Sequence, residues 1–521
     1  MRGPVLDWEL IIGMVTLVAS PIGVLAWSLV EPSGAVWAEL WRTRLPSMIV
    51  STAVLVTLVV AGTVVVGASL AWLVAAHDFP GRRLIGWLLV APLAIPGYVG
   101  GFVWLETLSD VVGARGVRSL WLCAVVLVLS LYPYVYLFAR AAFADQGADT
   151  VAAARSLGLG WLGVFLRVAL PTARPAIAAG ASLVAMEVLT DIGTVRLFNV
   201  STLADGVMRT WFGTGDAGAA AELATVLTGA ALMLIAGDRL LRRGPRCARG
   251  ASEATMGRRR LSSREWAVAL SVSGGVLVVA LGIPLARLGL WSVDAMRAGR
   301  AVTVAGGVRH HVGSTVALAG GATLACVVAG TVLALAVAHR GRAARLLGRL
   351  STVGYAMPGP VVAVGAVVAL AALDRRGVLP DGYLLVGSAA GVIYALVVRF
   401  FAVAYQGVEA SLERVAPAMI DSATVLGAGR LRTALTVELP TARYGVLAAA
   451  ALLSVDMVKE LPITLLLRPF GVDTLSTWVW QATSESLWEQ AAVPSLVMVV
   501  TGMVAVGALL VAIERGAEIH S

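Results

Sequence analysis

MIVSTAVLVTLVVAGTVVVGASLAWLVAA, residues Met48 to Ala76, runs for 29 positions without an acidic or basic side chain. About 20 apolar residues in a helix cross a hydrocarbon core, so this stretch has the length of a membrane span and no charged face to turn toward water. The rest of the chain follows suit. Of its 521 residues, 59% are hydrophobic and 14% charged, against roughly 45–50% and about 25% in a soluble domain. No water-soluble core of this size hides so much apolar surface, and the lipid bilayer is the expected solvent.

Apolar runs bounded by charged turns predict six spans in the first half: Leu10 to Val30, Met48 to Ala76, Leu84 to Leu105, Leu120 to Phe138, Pro175 to Val195 and Leu223 to Ala236. Six more follow at Trp266 to Leu288, Ser314 to Ala338, Leu350 to Leu373, Leu384 to Val403, Val446 to Leu467 and Val493 to Ile513. Between the sets, Asp238 to Glu265 holds nine arginines, Gly244, Pro245, Gly250 and Gly257, and no apolar run. The expected organisation is a first six-helix domain at 1–237, a cytoplasmic Arg-rich linker at 238–265 and a second six-helix domain at 266–521. The run from Leu10 to Val30 exceeds a signal-peptide core and shows no convincing cleavage site, which favours a retained first helix. Arginines gather in the linker, at Arg82 and Arg83, around Arg340 to Arg349 and in the long loops after the fourth and tenth spans. These segments hold about twice as many as the opposite side, which puts both termini in the cytoplasm of a multi-pass plasma-membrane protein.

The two halves repeat. Leu170-Pro171-Thr172-Ala173-Arg174 recurs as Leu439-Pro440-Thr441-Ala442-Arg443, an offset of 269 that also carries Leu157-Gly158 onto Leu426-Gly427, Glu187 onto Asp456 and Asp191 onto Glu460. Shared helix composition explains matched alanines and leucines, but not these residues in register, so the chain reads as a duplication. An even number of spans per half makes the copies parallel about an axis along the membrane normal. The fold class is therefore an all-α polytopic membrane protein of about 12 transmembrane helices, built as two parallel six-helix repeats. Pro96-Gly97 and Pro358-Gly359 interrupt the third and ninth spans, where freed carbonyls are tolerated only against protein or a water-lined cavity.

Several functions are disfavoured. The formal charge of +9 is dispersed over short loops and forms no continuous basic face, against a nucleic-acid partner. A phosphate-cradling loop requires Gly-Lys-Ser/Thr, and the one lysine, Lys459, stands between Val458 and Glu460. Any ATP and Mg²⁺ would thus be used by another subunit, and no cofactor is expected on this chain. Cys123, Cys247 and Cys326 lack metal spacing and read as packing residues. The His310-His311 pair in an outer loop, and His77, His339 and His520 singly, read as solvated rather than as a metal site. No catalytic constellation of Ser/His/Asp or paired carboxylates points to an enzyme.

The repeated loop is similar in spacing to the EAA motif of ABC importer permeases, an acidic-Ala-Ala triplet, a Gly, then an aliphatic residue and Leu-Pro. Here it reads Ala152-Ala153-Ala154, Gly158, Val168 and Leu170-Pro171, and again Asp421-Ser422-Ala423, Gly427, Val437 and Leu439-Pro440. In that family the loop forms a short helix that docks into the ATP-binding subunit and passes its closure to the membrane helices. A small-residue helix allows close approach, Gly a turn, and Leu-Pro a stop or restart of the next segment. The acidic first position is Ala152 in one copy and the shorter Asp421 in the other, so the resemblance implies unequal coupling. Met186-Glu187-Val188-Leu189 with Asp191-Ile192-Gly193-Thr194, Thr210-Trp211-Phe212, and Val458-Lys459-Glu460-Leu461-Pro462 to Leu467-Arg468-Pro469-Phe470 extend the resemblance to fused two-domain ferric-iron permeases; thiamine permeases share the architecture. The resemblance implies an ATP-binding cassette dimer inside and a substrate-binding protein outside.

Charged residues within spans are rare and face a bundle interior or a pathway. Glu187 and Asp191, and Asp456 and Glu460, are four apart and on that spacing would share a helical face. With Lys459 they are the candidate pathway residues: oxygen donors suited to a hard cation, lining a transient route with no stable metal site, or alternatively ion-paired to Lys459 or arginines to close a gate. An ion-coupled carrier could also be built from six plus six spans, but would have no use for two ATPase-docking loops.

Overall fold

The computed structural model describes residues 3–28, 35–144, 148–241, 258–298, 301–338, 340–377, 380, 383–413 and 415–518. Val30, linker positions 242–257, Cys247, His339 and His520 lie outside them.

In hydrocarbon every backbone N–H and C=O needs a partner within the protein, and an apolar run supplies one only by becoming helix. Eight helices are long and apolar enough to cross alone: Trp8–Leu25, Leu45–Ala76, Leu120–Ala144, Trp161–Thr190, Ala217–Gly237, Ser263–Arg297, Gly307–Ala338 and Ala389–Leu412. Three further spans are bent pairs, Arg82–Ala94 with Gly97–Ser109 at 90°, Arg342–Gly354 with Gly359–Arg375 at 102°, and Arg430–Arg443 with Gly445–Val458 at 60°. With the 31-residue helix Trp488–Glu518, they correspond one to one with the twelve expected spans. Outward valines such as Val50 and Val65, 61% and 67% exposed, are what a lipid-facing side requires. Among the described residues the only strand pairing joins His77–Asp78 to Arg259–Arg260.

The duplication is structural as well as textual. Helices Ala148–Ser156 and Pro417–Val425, turns Trp161–Val164 and Arg430–Thr433, and five-residue π turns Phe165–Ala169 and Ala434–Glu438 all stand 269 apart. The π turns explain why Leu-Pro does not stop the segment. A proline ring inside a helix clashes with the carbonyl four residues back. Widening the turn so that Leu170 N–H reaches Phe165 O, and Leu439 N–H reaches Ala434 O, accommodates the ring one residue later.

Packing gathers the chain into two compact units, one of residues 1–40, 206–228 and 295–521, the other of 41–205 and 229–294. In the first, helix Gly3–Ser28 lies against Gly359–Arg375. Ile11, Val18 and Leu25 are buried there, Ser20 Oγ and Tyr394 Oη share a hydrogen bond of 2.6 Å, and a Cβ on Gly365 would stand 2.9 Å from Pro21. In the second, Arg287 on Ile283–Arg297 donates through Nε to Thr107 Oγ1 at 3.2 Å and Trp291 stacks on Phe102 at 6.0 Å. The sequence domains 1–237 and 266–521 therefore differ from the packing units by their first helices and by residues 206–228, because an apolar helix in lipid packs wherever its surface fits.

Two pairings dominate the core, Leu45–Ala76 on Leu120–Ala144 and Ala301–Ala338 on Ala389–Leu412. Each closes on a glycine: a Cβ on Gly67 would meet Tyr132 O and Val135 at 2.9 Å, and one on Gly330 would meet Ala404 at 2.8 Å. In lipid such close approach, with its dispersion contacts, drives association. Gly67→Leu and Gly330→Leu are expected to cost about 1–3 kcal/mol or more by overpacking, read as a lower melting temperature in detergent. Gly229→Leu, whose Cβ meets nothing within 4 Å, should leave it unchanged.

Candidate functional site

The two matched loops share one construction. Helix Ala148–Ser156 ends at Gly158, whose φ of 86° is left-handed, and Pro417–Val425 ends at Gly427 with φ of 79°. Gly158 N–H bonds Arg155 O at 3.0 Å and Leu159 N–H bonds Ala154 O at 3.2 Å; Gly427 to Thr424 and Ala428 to Ala423 repeat the pattern at 3.0 Å each. This pair of bonds is the Schellman closure, which favours a residue without Cβ at the left-handed position. Ala152, Ala153, Asp421 and Ser422 are exposed, Ala423 half-buried and Ala154 buried. Leu170, Pro171 and Leu439 are half-buried and Pro440 is exposed, at the start of the helices that lead into the membrane.

Beyond the loop helix each half holds out two leucines. Leu157 and Leu426 are 83% and 86% exposed, Leu162 and Leu431 70% and 74%. The pairs stand 269 apart, Leu157 and Leu426 just before the left-handed glycines and Leu162 and Leu431 in the short turns that follow, so the exposed apolar residues are duplicated. Sequence reading matched Leu157 with Leu426 but missed their exposure, which depends on the Schellman turn directing the chain outward.

Each loop is tied to the end of the second span of its half by different chemistry. Trp161 packs on His77 and Trp72, ring centroids 5.5 and 6.4 Å apart, and lies under Arg155 at 5.4 Å. At the equivalent position Arg430 donates through Nη2 to Leu335 O and Ala336 O at 3.4 and 3.3 Å, serving the orphan carbonyls at a helix C-terminus.

Deeper in each half lies a broken-helix site. Pro96 and Pro358 take nearly the same backbone angles, φ −56° with ψ 142° and 144°, ahead of helices Gly97–Val112 and Gly359–Arg375. Helix Leu170–Thr190 ends before Asp191, and Leu439–Val458 ends before Lys459. Short helices Gly193–Leu197 and Pro462–Leu467 follow. The helix stops at Asp191, whose N–H still bonds Glu187 O at 3.0 Å, and just before Lys459, so the fifth and eleventh spans do not run on to Val195 and Leu467 as single helices.

Those breaks leave amide donors without helical partners, and the second acid of each pair takes them. Asp191 Oδ1 accepts from Thr194 N at 2.8 Å and Val195 N at 3.1 Å, and Oδ2 from Thr194 Oγ1 at 2.7 Å. Glu460 Oε2 accepts from Ile463 N at 3.0 Å and Thr464 N at 3.3 Å. The Pro-Gly breaks pack on these caps, since a Cβ on Gly97 would fall 3.2 Å from Asp191 Oδ2 and one on Gly359 3.2 Å from Glu460 Oε1. In the second half Arg399 Nη1 also reaches Glu460 Oε1 at 3.0 Å, with side chains 11% and 2% exposed. Of the first acids, Glu187 is half-buried, and Asp456 is held by Lys459 at 2.9 Å.

Sequence reading missed the helices that complete these sites, Leu203–Thr214 and Leu475–Ser484. Each begins on a buried threonine of the second span: Leu203 N donates to Thr52 Oγ1 at 3.0 Å and Leu475 N to Thr315 Oγ1 at 2.8 Å. Also missed was Asp205, fully buried 3.9 Å from Arg196. The available signal was the pair Ser51-Thr52, met again as Ser314-Thr315 near the start of the second span of each half. His310 and His311 belong to helix Ala301–Ala338 rather than an outer loop, with His311 4.5 Å from the Trp478 ring. Cys123 and Cys326 are buried thiols. Among the described residues no three His, Cys, Asp or Glu side chains gather as a ligand set.

Removing one partner of a buried pair leaves the other charge uncompensated, which costs about 3–5 kcal/mol. Arg399→Met is therefore expected to lower the melting temperature markedly. Adding Glu460→Gln, which keeps an oxygen for Ile463 and Thr464, should recover most of that loss.

Comparison with known proteins places this geometry. Over 467 residues the chain is 24% identical to the Fe(3+)-transport system permease protein FbpB 2 of Haemophilus influenzae, covering 88% of each. It is 29% identical over 238 residues to the sulfate transport system permease protein CysT of Salmonella typhimurium, 41% of this chain and 83% of that one. Over 133 residues it is 30% identical to the molybdate/tungstate transport system permease protein WtpB of Thermococcus kodakarensis, 25% of this chain and 51% of that one. One family pattern matches twice, over residues 63–243 and 327–517. With the pattern met once in each repeat, the chain belongs to the family of binding-protein-dependent transport system inner membrane components.

Proposed function

We propose that this chain is the complete membrane-spanning part of an ATP-driven importer that takes up ferric iron handed over by an extracytoplasmic binding protein. The observation that carries the proposal is the duplicated loop, two Schellman-closed helices each offering a pair of exposed leucines, in a chain whose family depends on binding proteins. An ATP-binding cassette dimer, holding the ATP and Mg²⁺, docks on these loops from the cytoplasm, where both termini lie. Small exposed residues at Ala152, Ala153 and Ser422 allow close approach, and Leu157, Leu162, Leu426 and Leu431 supply apolar area that docking would remove from water. Asp421 adds a carboxylate that Ala152 cannot, so the second loop grips more firmly. Leu426→Asp with Leu431→Asp should uncouple transport from ATP hydrolysis without lowering the melting temperature, and the equivalent change at Leu157 and Leu162 should do so more weakly.

Iron as cargo rests on the full-length similarity to a Fe(3+) permease. Asp191 and Glu460 serve as caps that hold the broken helices open, leaving Glu187 and Asp456 as the carboxylates a passing cation meets. Glu187→Gln together with Asp456→Asn is expected to cut iron uptake severalfold; unchanged uptake would remove these acids from the pathway. The sulfate and molybdate/tungstate relatives motivate a second reading, an oxyanion cargo. The decisive assay is ATPase activity of the reconstituted permease and its ATP-binding partner, with binding protein loaded with ferric iron, thiamine or sulfate, or left empty. Stimulation confined to the ferric form supports iron, and stimulation by another form reassigns the cargo.

A further inference from the structure

A groove of about 650 Å³ opens between the Leu45–Ala76 and Ser263–Leu277 helices. Its walls are aliphatic and face outward, Val65, Val268 and Val272 being 67%, 63% and 54% exposed. Its end is basic, formed by Arg259 and Arg264 beside His77. From Val65 to His77 a helix rises about 18 Å at 1.5 Å per residue, close to one leaflet of a hydrocarbon core about 30 Å thick.

Among the described residues the basic side chains at that end outnumber their acidic partners. Glu265 is engaged by Arg259 Nη2 at 2.5 Å and by Ser262 N and Oγ at 3.0 Å each. Arg82 has Asp78 at 3.8 Å, yet it also feels Arg83, Arg140 and Arg258. Arg258 and Arg260 flank the site in sequence. Burial foremost, with Arg259 adding to it, holds His77 below its ordinary pKa against the raising effect of Glu265 and backbone contacts, so it is neutral at pH 7 and adds no charge. Among the described residues Arg264 makes no ion pair.

We propose that this groove binds one anionic glycerophospholipid, an acyl chain lying along the valines and the phosphate held by Arg264 and Arg259. The aliphatic walls distinguish this occupant from a free phosphate ion, which has no use for them, and the arginines distinguish it from a zwitterionic lipid, whose choline they repel. Arg259 also lies over Trp161 at 5.6 Å, so an occupant touches the segment that anchors the first matched loop.

The test uses the full purified chain in detergent, supplied with equimolar phosphatidylglycerol and phosphatidylcholine and read by native mass spectrometry. One phosphatidylglycerol should be retained in preference to phosphatidylcholine, and inorganic phosphate should not displace it. Arg264→Gln should weaken retention about fivefold, the attraction that one arginine offers an anionic headgroup. Val268→Trp, which fills the groove and keeps both arginines, should abolish retention while the melting temperature without added lipid stays unchanged. Equal retention of the two lipids, displacement by phosphate, or retention unaffected by both substitutions would overturn the proposal.

Discussion

A helix broken inside a membrane exposes amides that no water can serve, and this chain answers that constraint twice in the same manner. Asp191 and Glu460 each collect the donors of a restarted helix. Around those carboxylates the Pro-Gly breaks pack, possible only because Gly97 and Gly359 carry no side chain. Arg399 then neutralises Glu460 from the tenth span, whereas in the first half the corresponding place is Ser130 and the cap is completed by the hydroxyl of Thr194. The halves therefore share a backbone solution and differ in electrostatics, as they do at the loops, where Trp161 and Arg430 anchor equivalent turns by ring packing and by carbonyl capping.

Any force applied equally to the two loops meets one half held through an ion pair and a carbonyl cap and another held through an aromatic cluster. The ring contacts rest on dispersion, which weakens steeply with separation, while the attraction within the ion pair falls off slowly.

Much of this was legible in the residues. The spans followed from uncharged runs, and the duplication from Leu-Pro-Thr-Ala-Arg and its companions in register. The helix breaks were only half legible: Pro462 warns of one, but between Glu187 and Asp191 stand only Val188, Leu189 and Thr190, none of which interrupts a helix. Leu203–Thr214 and Leu475–Ser484 escaped because they are too short and too polar to read as spans, and too regular to read as loops. The exposure of Leu157 and Leu426 was invisible because leucine in an apolar chain carries no sign of which way it points.

Nor does the order of residues say what a lipid-embedded helix will touch. Gly3–Ser28 packs on Gly359–Arg375, whose first residue is made 331 positions after its own last. At roughly 5–20 residues per second the opening helix waits between a quarter of a minute and a minute for its neighbour to leave the ribosome. Until the segments from Leu333 onward follow, Ile11 and Val18 lack the neighbours that bury them, and before Tyr394 is made the hydroxyl of Ser20 has its own backbone to bond. Helix Gly3–Ser28 thus finds its full set of neighbours late, and biogenesis must tolerate a partly unpaired helix for much of synthesis.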